Sequence, residues 1–289
     1  MAKRKPDLDL EALAAELVDS GSREHYSDAA LYDYEYRRRR ADVTFYRSLA
    51  TKRLGSSSGG RILDLGCGSG RVTVPLARDG HTVVAMDQMP PMLERLRGRV
   101  AKLPPTVAKR ITVLPGELCT FSAPGKFDLI IAAFNVVEHL YTRGEVAAFL
   151  SRVTAHLAEG GALAFDVQLP DLEWLMRDPM KRWARTKFTD PSTGKQMLYS
   201  TNHDYDQVSQ IAVIRLYYEP ADGKGATKIV KLTQRKFFPA ELEALVAASG
   251  LRMMARYGDF FWGELTGAAE SQVLIVEAPK RPRETAKRR

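Results

Sequence analysis

Only two cysteines, Cys67 and Cys119, occur in the 289 residues. That is too few for a disulfide framework, and they form no metal knuckle. No apolar run reaches the length of about 18 residues that a membrane-crossing helix needs. The first residues are basic, but Asp7, Asp9, Glu11 and Glu16 interrupt the segment that a secretory signal would keep apolar. A soluble, cytoplasmic protein with no membrane partner is expected, as a monomer or homodimer. Internal repeats are absent as well. With 45% hydrophobic and 27% charged residues, the chain has the makings of an ordinary buried core. Its length suggests about two domains, or one domain with a large insertion.

Basic character is lacking where a nucleic-acid surface would need it. The net charge of +8 resides in Lys3, Arg4 and Lys5 and in a tail holding Lys280, Arg281, Arg283, Lys287, Arg288 and Arg289 against Glu284. The body between carries no net charge. A phosphate-tracking surface is a basic stripe on a folded domain, so nucleic acid is not the expected partner. The internal run Arg37-Arg38-Arg39-Arg40 would fan around a helix instead of forming one face.

What is present is a pattern. Residues 7–19 read as a short amphipathic helix and 28–53 as one longer helix, followed by a flexible connection at 54–60. Apolar runs at 61–65, 82–86, 111–114, 127–133 and 161–167 then alternate with helix-period segments at 71–79, 91–103 and 143–158. Short apolar strands alternating with helices predict a parallel sheet covered on both faces. The alternation stops after Val167. Turn signals at Asp190–Gly194 and Asp222–Gly225 mark hairpins, with 210–219 and 227–237 as two antiparallel strands. A helix with Pro239 in its first turn and Gly250 past its end follows, then strands at 251–257 and 272–278. The expected organisation is a basic, helical N-terminal extension over 1–25 and an α/β domain over 26–167 and 239–278. A β-rich substrate cap is inserted at 168–238, and a basic, disordered tail occupies 279–289.

The segment Ile62-Leu63-Asp64-Leu65-Gly66-Cys67-Gly68-Ser69-Gly70-Arg71 carries the chemistry. An apolar strand enters a glycine-rich turn from which a helix opens. Glycine tolerates the backbone angles of such a turn and lets a ligand approach the chain, and the helix start offers free N–H groups to an anion. The spacing Gly66-x-Gly68-x-Gly70 differs from the G-x-G-x-x-G of dinucleotide enzymes. Asp87 ends the next strand, where a carboxylate is set to accept both hydroxyls of a ribose; the alternative is a solvated loop aspartate. After the third strand, Glu117 in Pro115-Gly116-Glu117-Leu118 is either an acceptor for an adenine amino group or a surface acid.

Asp64-Leu65-Gly66-Cys67-Gly68-Ser69-Gly70 resembles motif I of the class I S-adenosylmethionine-dependent methyltransferases. Asp87, Gly116-Glu117-Leu118 and the stretch from Phe127-Asp128-Leu129 to His139-Leu140 match its later motifs in order. Tyr32-Asp33-Tyr34, Asp42-Val43-Thr44-Phe45-Tyr46 and Tyr257-Gly258-Asp259-Phe260 resemble a small-molecule branch of glycine N-methyltransferase-like and amino-sugar N-methyltransferase-like enzymes. Phe261-Trp262-Gly263 departs from that pattern and makes the substrate-side edge more aromatic. The resemblance implies a Rossmann-like, seven-stranded α/β sheet and S-adenosylmethionine as cofactor. It implies that Gly66, Cys67, Gly68 and Gly70 underlie the methionyl part, with Asp64 ordering the loop or meeting the amino group. Tyr46 and Arg71 would reach the methionyl carboxylate, Asp87 would hold the ribose, Gln88 and Met89 would flank the adenine, and Glu117 with Leu118 would address its edge. Asn135 and His139 would lie next to the transferred methyl.

Methyl transfer from a sulfonium needs alignment and exclusion of water, and a base only when the acceptor arrives protonated. His139 is the candidate base, the other reading being a histidine that packs under the cofactor. His203 is secondary, and Tyr32 and Tyr34 either line a pocket or belong to the core. There is no Pro-Cys pair for cytosine C5 chemistry and no Asn/Asp-Pro-Pro-Tyr/Phe motif for exocyclic base amines; no metal-ligand acid set stands out either. The expected function is methyl transfer to a nitrogen or oxygen of a small-molecule acceptor. The alternatives are an RNA or protein methyltransferase using the basic tails, or a non-catalytic S-adenosylmethionine-binding interaction protein.

Overall fold

The computed structural model describes residues 10–55 and 60–278. The basic start, part of the 54–60 connection and the basic tail lie outside the described residues. The chain folds as two compact units: the stretch up to Arg38 with Pro170–Lys236, and Arg39–Leu169 with the stretch from Phe237.

Two helices, α1 (Leu10–Arg23) and α2 (Ala29–Tyr36), open the small unit, and α3 (Ala41–Leu54) opens the large one. The single helix expected over 28–53 is therefore two. The break falls on the four arginines. Arg37 folds back so that its guanidinium lies 3.6 Å from the Tyr34 ring centroid and donates to the Tyr34 carbonyl. That carbonyl is thereby satisfied without a continuing helix. The expected start of the large domain at residue 26 moves accordingly to 39, because Leu31 of α2 belongs to the core of the small unit.

The large unit then alternates as its apolar runs demand. Strands β1 (Arg61–Leu65), β2 (Thr82–Asp87), β3 (Ile111–Pro115), β4 (Phe127–Ala132) and β5 (Leu157–Gln168) are separated by α4 (Thr73–Arg78), α5 (Pro90–Val100), a short α6 (Pro105–Ala108) and α7 (Arg143–His156). A reciprocal cap starts α7: Thr142 Oγ1 accepts from the Glu145 N–H while the Glu145 carboxylate accepts from the Thr142 N–H. β5 begins before the expected residue 161, since Leu157 already pairs with Phe127 ahead of an irregularity in the ladder.

After β5 the small unit resumes with a short α8 (Leu172–Leu175) and an antiparallel sheet of β6 (Trp183–Thr189), β7 (Gln196–Asp206), β8 (Ile211–Pro220) and β9 (Lys228–Arg235), paired in that order. Its core is Leu31, Ala212, Ile214, Leu216, Tyr218, Val230 and Leu232. Both marked turns connect strands, and the Asp190 carboxylate closes the first by accepting from the Ser192 and Thr193 N–H groups. On the edge strand β9, the Lys231 N–H donates to Glu24, and Thr233 Oγ1 donates to the Val18 carbonyl of α1. The open edge is thus covered.

The chain returns to the large unit with α9 (Pro239–Ala248), β10 (Arg252–Tyr257) and β11 (Ser271–Glu277). The seven-stranded sheet has the order β3-β2-β1-β4-β5-β11-β10, with β11 antiparallel to both neighbours. Its central strands are buried on both faces, as apolar runs without alternation require. The register pairs Leu65 with Met86 and Asp87 with Pro115, so the carboxyl ends of the first three strands lie level. No helix of the described residues is long and apolar enough to cross a membrane.

Candidate active site

Three loops meet at that level edge of the large unit. Gly66, Gly68 and Gly70 all take positive φ, at 64°, 53° and 87°. At Gly66 a Cβ would come within 2.4 Å of Val136, so this glycine lets the loop after β4 press against the loop after β1. At Gly68 a Cβ would meet nothing within 4 Å. Its backbone faces open space, as a ligand cradle requires.

Asp64 is buried at 1% exposure, and its Oδ2 accepts from Thr73 Oγ1 at 2.5 Å, tying the end of β1 to the first turn of α4. Burial pushes its carboxyl up to about 7. Cys67 is a core residue beside Ala85, Leu93 and Leu96, its thiol raised by burial, while its N–H donates to the Met86 carbonyl. Asp87 accepts from the Gly68 N–H at Oδ2 and from the Met89 N–H at Oδ1, both at 2.8 Å. Burial raises its carboxyl and these bonds oppose that rise. A carboxylate has about four acceptor positions, so two backbone bonds aim this one and leave capacity for hydroxyl donors. The Gly116 N–H donates to the Asp87 carbonyl, drawing in the third loop. There Glu117 is exposed and Leu118 half-buried against the core; Gln88 is exposed and Met89 half-buried. Asp87, Gly68, Met89 and Gly116 are thus joined by hydrogen bonds.

A second group forms at the ends of β4 and β5. Phe134 and Asn135 are consecutive non-glycine residues with φ of 67° and 62°. The Asp166 carboxylate accepts from both their N–H groups, at 2.8 and 3.2 Å, and from Tyr46 Oη at 2.6 Å. Tyr46, at 0% exposure, therefore donates inside the core. Arg71 is held by Asp42 through two bonds, and its guanidinium lies 4.4 Å from the Phe134 ring centroid. His139 sits in the short 3-10 turn Val136–His139, half-buried, with Nδ1 3.2 Å from Tyr141 Oη. Buried Glu138 accepts from the Gln168 N–H.

Sequence reading missed Asp42, Thr73, Asp166 and Phe134. For Asp166 a signal existed, an acid inside the apolar run 161–167. Asp42 stands four residues before Tyr46, on the same face of α3. Among the described residues no group of histidine, cysteine, aspartate and glutamate could hold a metal ion. In the small unit, His203 stacks on Trp174 at 3.7 Å and bonds its carbonyl. Tyr32 lies against Tyr36 and His25, and Tyr34 lies 5.9 Å from Phe188.

Residues 62–161 match the family model described as a methyltransferase domain. A putative methyltransferase of Bacillus subtilis strain 168, YqeM, is 31% identical over 223 residues, 76% of this chain and 84% of that relative. The chain belongs to the class I S-adenosylmethionine-dependent methyltransferases. Of four other curated relatives it spans only 35% to 59% of the length. The fold is shared with the CcbJ methyltransferase from Streptomyces caelestis (TM-score 0.68, 20% identity, 83% of this chain and 89% of that one). It is shared as well with the glycopeptide N-methyltransferase MtfA, solved with S-adenosylmethionine (TM-score 0.57, 19% identity, 82% and 87% covered).

Proposed function

We propose that this protein is a cytoplasmic enzyme that transfers a methyl group from S-adenosylmethionine to a nitrogen or oxygen of a small-molecule acceptor. The observation that carries this reading is the pairing of a glycine backbone open to a ligand at Gly68 with a carboxylate, Asp87, aimed by the Gly68 and Met89 N–H groups. Both stand at the carboxyl edge of parallel strands, where such sheets bind nucleotides. Gly66, Gly68 and Gly70 would underlie the methionyl part and Asp87 would accept from the ribose. Met89 and Gln88, with Glu117 and Leu118, would border the adenine. When bound, the cofactor supplies a methyl group already activated by its sulfonium, so the chain has to align the acceptor and exclude water. Asn135 is assigned to orienting the acceptor. His139 is assigned to taking its proton where it arrives protonated, the Tyr141 hydroxyl 3.2 Å from Nδ1 steadying the ring. The absence of net charge between the basic ends of the sequence favours a compact acceptor over a nucleic acid. The test is calorimetry of S-adenosylmethionine binding to Asp87→Ala. Loss of charge-assisted bonds should weaken binding about tenfold or more. Unaltered affinity in a folded variant would remove Asp87 from the ribose site.

A further inference from the structure

The pair Phe134 and Asn135 asks for an explanation. Two consecutive non-glycine residues in the left-handed region are strained, and such geometry persists only where the surroundings over-determine it. Here what does so is one buried carboxylate. Asp166 Oδ1 accepts from the Phe134 N–H and from Tyr46 Oη, and Oδ2 accepts from the Asn135 N–H. The same α3 that carries Tyr46 carries Asp42 one helical turn earlier, and Asp42 holds Arg71, which lies over the Phe134 ring. The contacts close a circuit, from α3 to Arg71 behind the glycine loop, to Phe134, to Asp166 and back to α3. Val136, next in the chain, rests on Gly66. A carboxyl at 2% exposure is expensive to keep charged, and burial raises this one to about 6. An apolar residue would serve a core better; three converging donors are what the carboxylate uniquely accommodates.

We infer that Asp166 and Tyr46 form one positioning unit, a brace that presses the loop carrying Asn135 against the glycine loop, and that Tyr46 acts through Asp166 instead of contacting the ligand. This rests on the reading that the glycine loop binds S-adenosylmethionine. The brace accounts for why a tyrosine with no exposed surface is four residues from Asp42, and for why Arg71 is doubly bonded to an acid. Both side chains then shape the pocket wall from behind.

The brace is tested with Asp166→Asn, Tyr46→Phe and the double variant, using S-adenosylmethionine and S-adenosylhomocysteine as probes in calorimetry and following backbone hydrogen exchange over residues 133–136. Asparagine keeps the shape and one acceptor oxygen, and phenylalanine removes only the hydroxyl, so both variants are expected to fold, which thermal melting checks. Each single change should weaken binding about tenfold, and the double variant by about the same factor and not a hundredfold, because residues acting as a unit are non-additive. Exchange at Phe134 and Asn135 should speed up in every variant. Weakening by Tyr46→Phe alone, with Asp166→Asn neutral, would mean that the tyrosine touches the ligand and would overturn the brace. So would additive losses. If the unaltered protein binds neither probe, the cofactor reading falls. Exchange then decides the brace alone: faster exchange at the two amides in Asp166→Asn supports it and unchanged exchange overturns it.

Discussion

In the large unit Asp42, Asp64, Glu138 and Asp166 are all buried, whereas among the described residues the small unit buries no acid to the same degree. Its closest counterpart is half-buried Glu35, pushed up to about 7 by burial and accepting from Tyr218 Oη at 2.6 Å. The small unit buries neutral or cationic groups instead, bonded to carbonyl or amide oxygens. Asn202 donates to the Pro179 carbonyl, His203 bonds the Trp174 carbonyl, and Lys236 donates to Gln234. Two of those bonds tie β7 to α8 and the segment that follows it. The buried acids of the large unit each accept from another element: Asp42 from Arg71, Asp64 from the first turn of α4, Glu138 from the end of β5, and Asp166 from the loop after β4 and from α3. Since a buried carboxylate is unfavourable by itself, its concentration in one region marks where loop geometry matters more than stability.

The apolar cores offer the largest test of this contrast. Leu163, at 0% exposure in the seven-stranded sheet, should cost about 2–5 kcal/mol on Leu163→Ala, and Leu232→Ala in the smaller core the lower end of the same range, by denaturant unfolding. Equal or reversed costs would break the comparison. The buried acids should respond to pH with an unusual sign. Asp64 rises from an ordinary 3.8 to about 7 in the folded protein, so between those values the folded state binds more protons. Its contribution to stability therefore falls as pH rises from about 4 through 7. Asp64→Asn should remove that slope, gaining on the unaltered protein between pH 5 and pH 8 by an amount on the order of a few kcal/mol. Melting curves at the two pH values check it, and a constant difference would sink the assignment. The smallest effect belongs to the exposed rim of the small unit. Met180→Ser, at a residue 87% exposed, should alter stability by no more than about 0.5 kcal/mol.

Much of the large unit was legible as sequence because its signals are local. The runs at 61–65, 82–86 and 127–133 are apolar with little alternation, as strands covered on both faces are, and Gly66, Gly68 and Gly70 announce a turn that other residues resist. Pro239 and Gly250 bracketed α9 for the same reason. Less of the small unit could be read. β6 is almost wholly exposed and β7 mixes polar with apolar residues, so neither has an apolar run to announce it. The break at Arg37–Arg40 was hidden because arginine favours helix by itself, and Arg37, turned onto Tyr34, satisfies a carbonyl that a continuing helix would have bonded.

The sequence by itself determined the alternation of strands and helices, the glycine turn and the acid ending β2, since each follows from neighbouring residues and the backbone they permit. The tertiary structure alone decided which groups those residues meet. That Tyr46 bonds an aspartate 120 positions away, that Arg71 is occupied by Asp42 and that two N–H groups after β4 converge on Asp166 are consequences of strand order and helix docking. No local pattern encodes them, because a hydrogen-bond partner is chosen by distance in space and the sheet β3-β2-β1-β4-β5-β11-β10 brings together strands far apart in the chain.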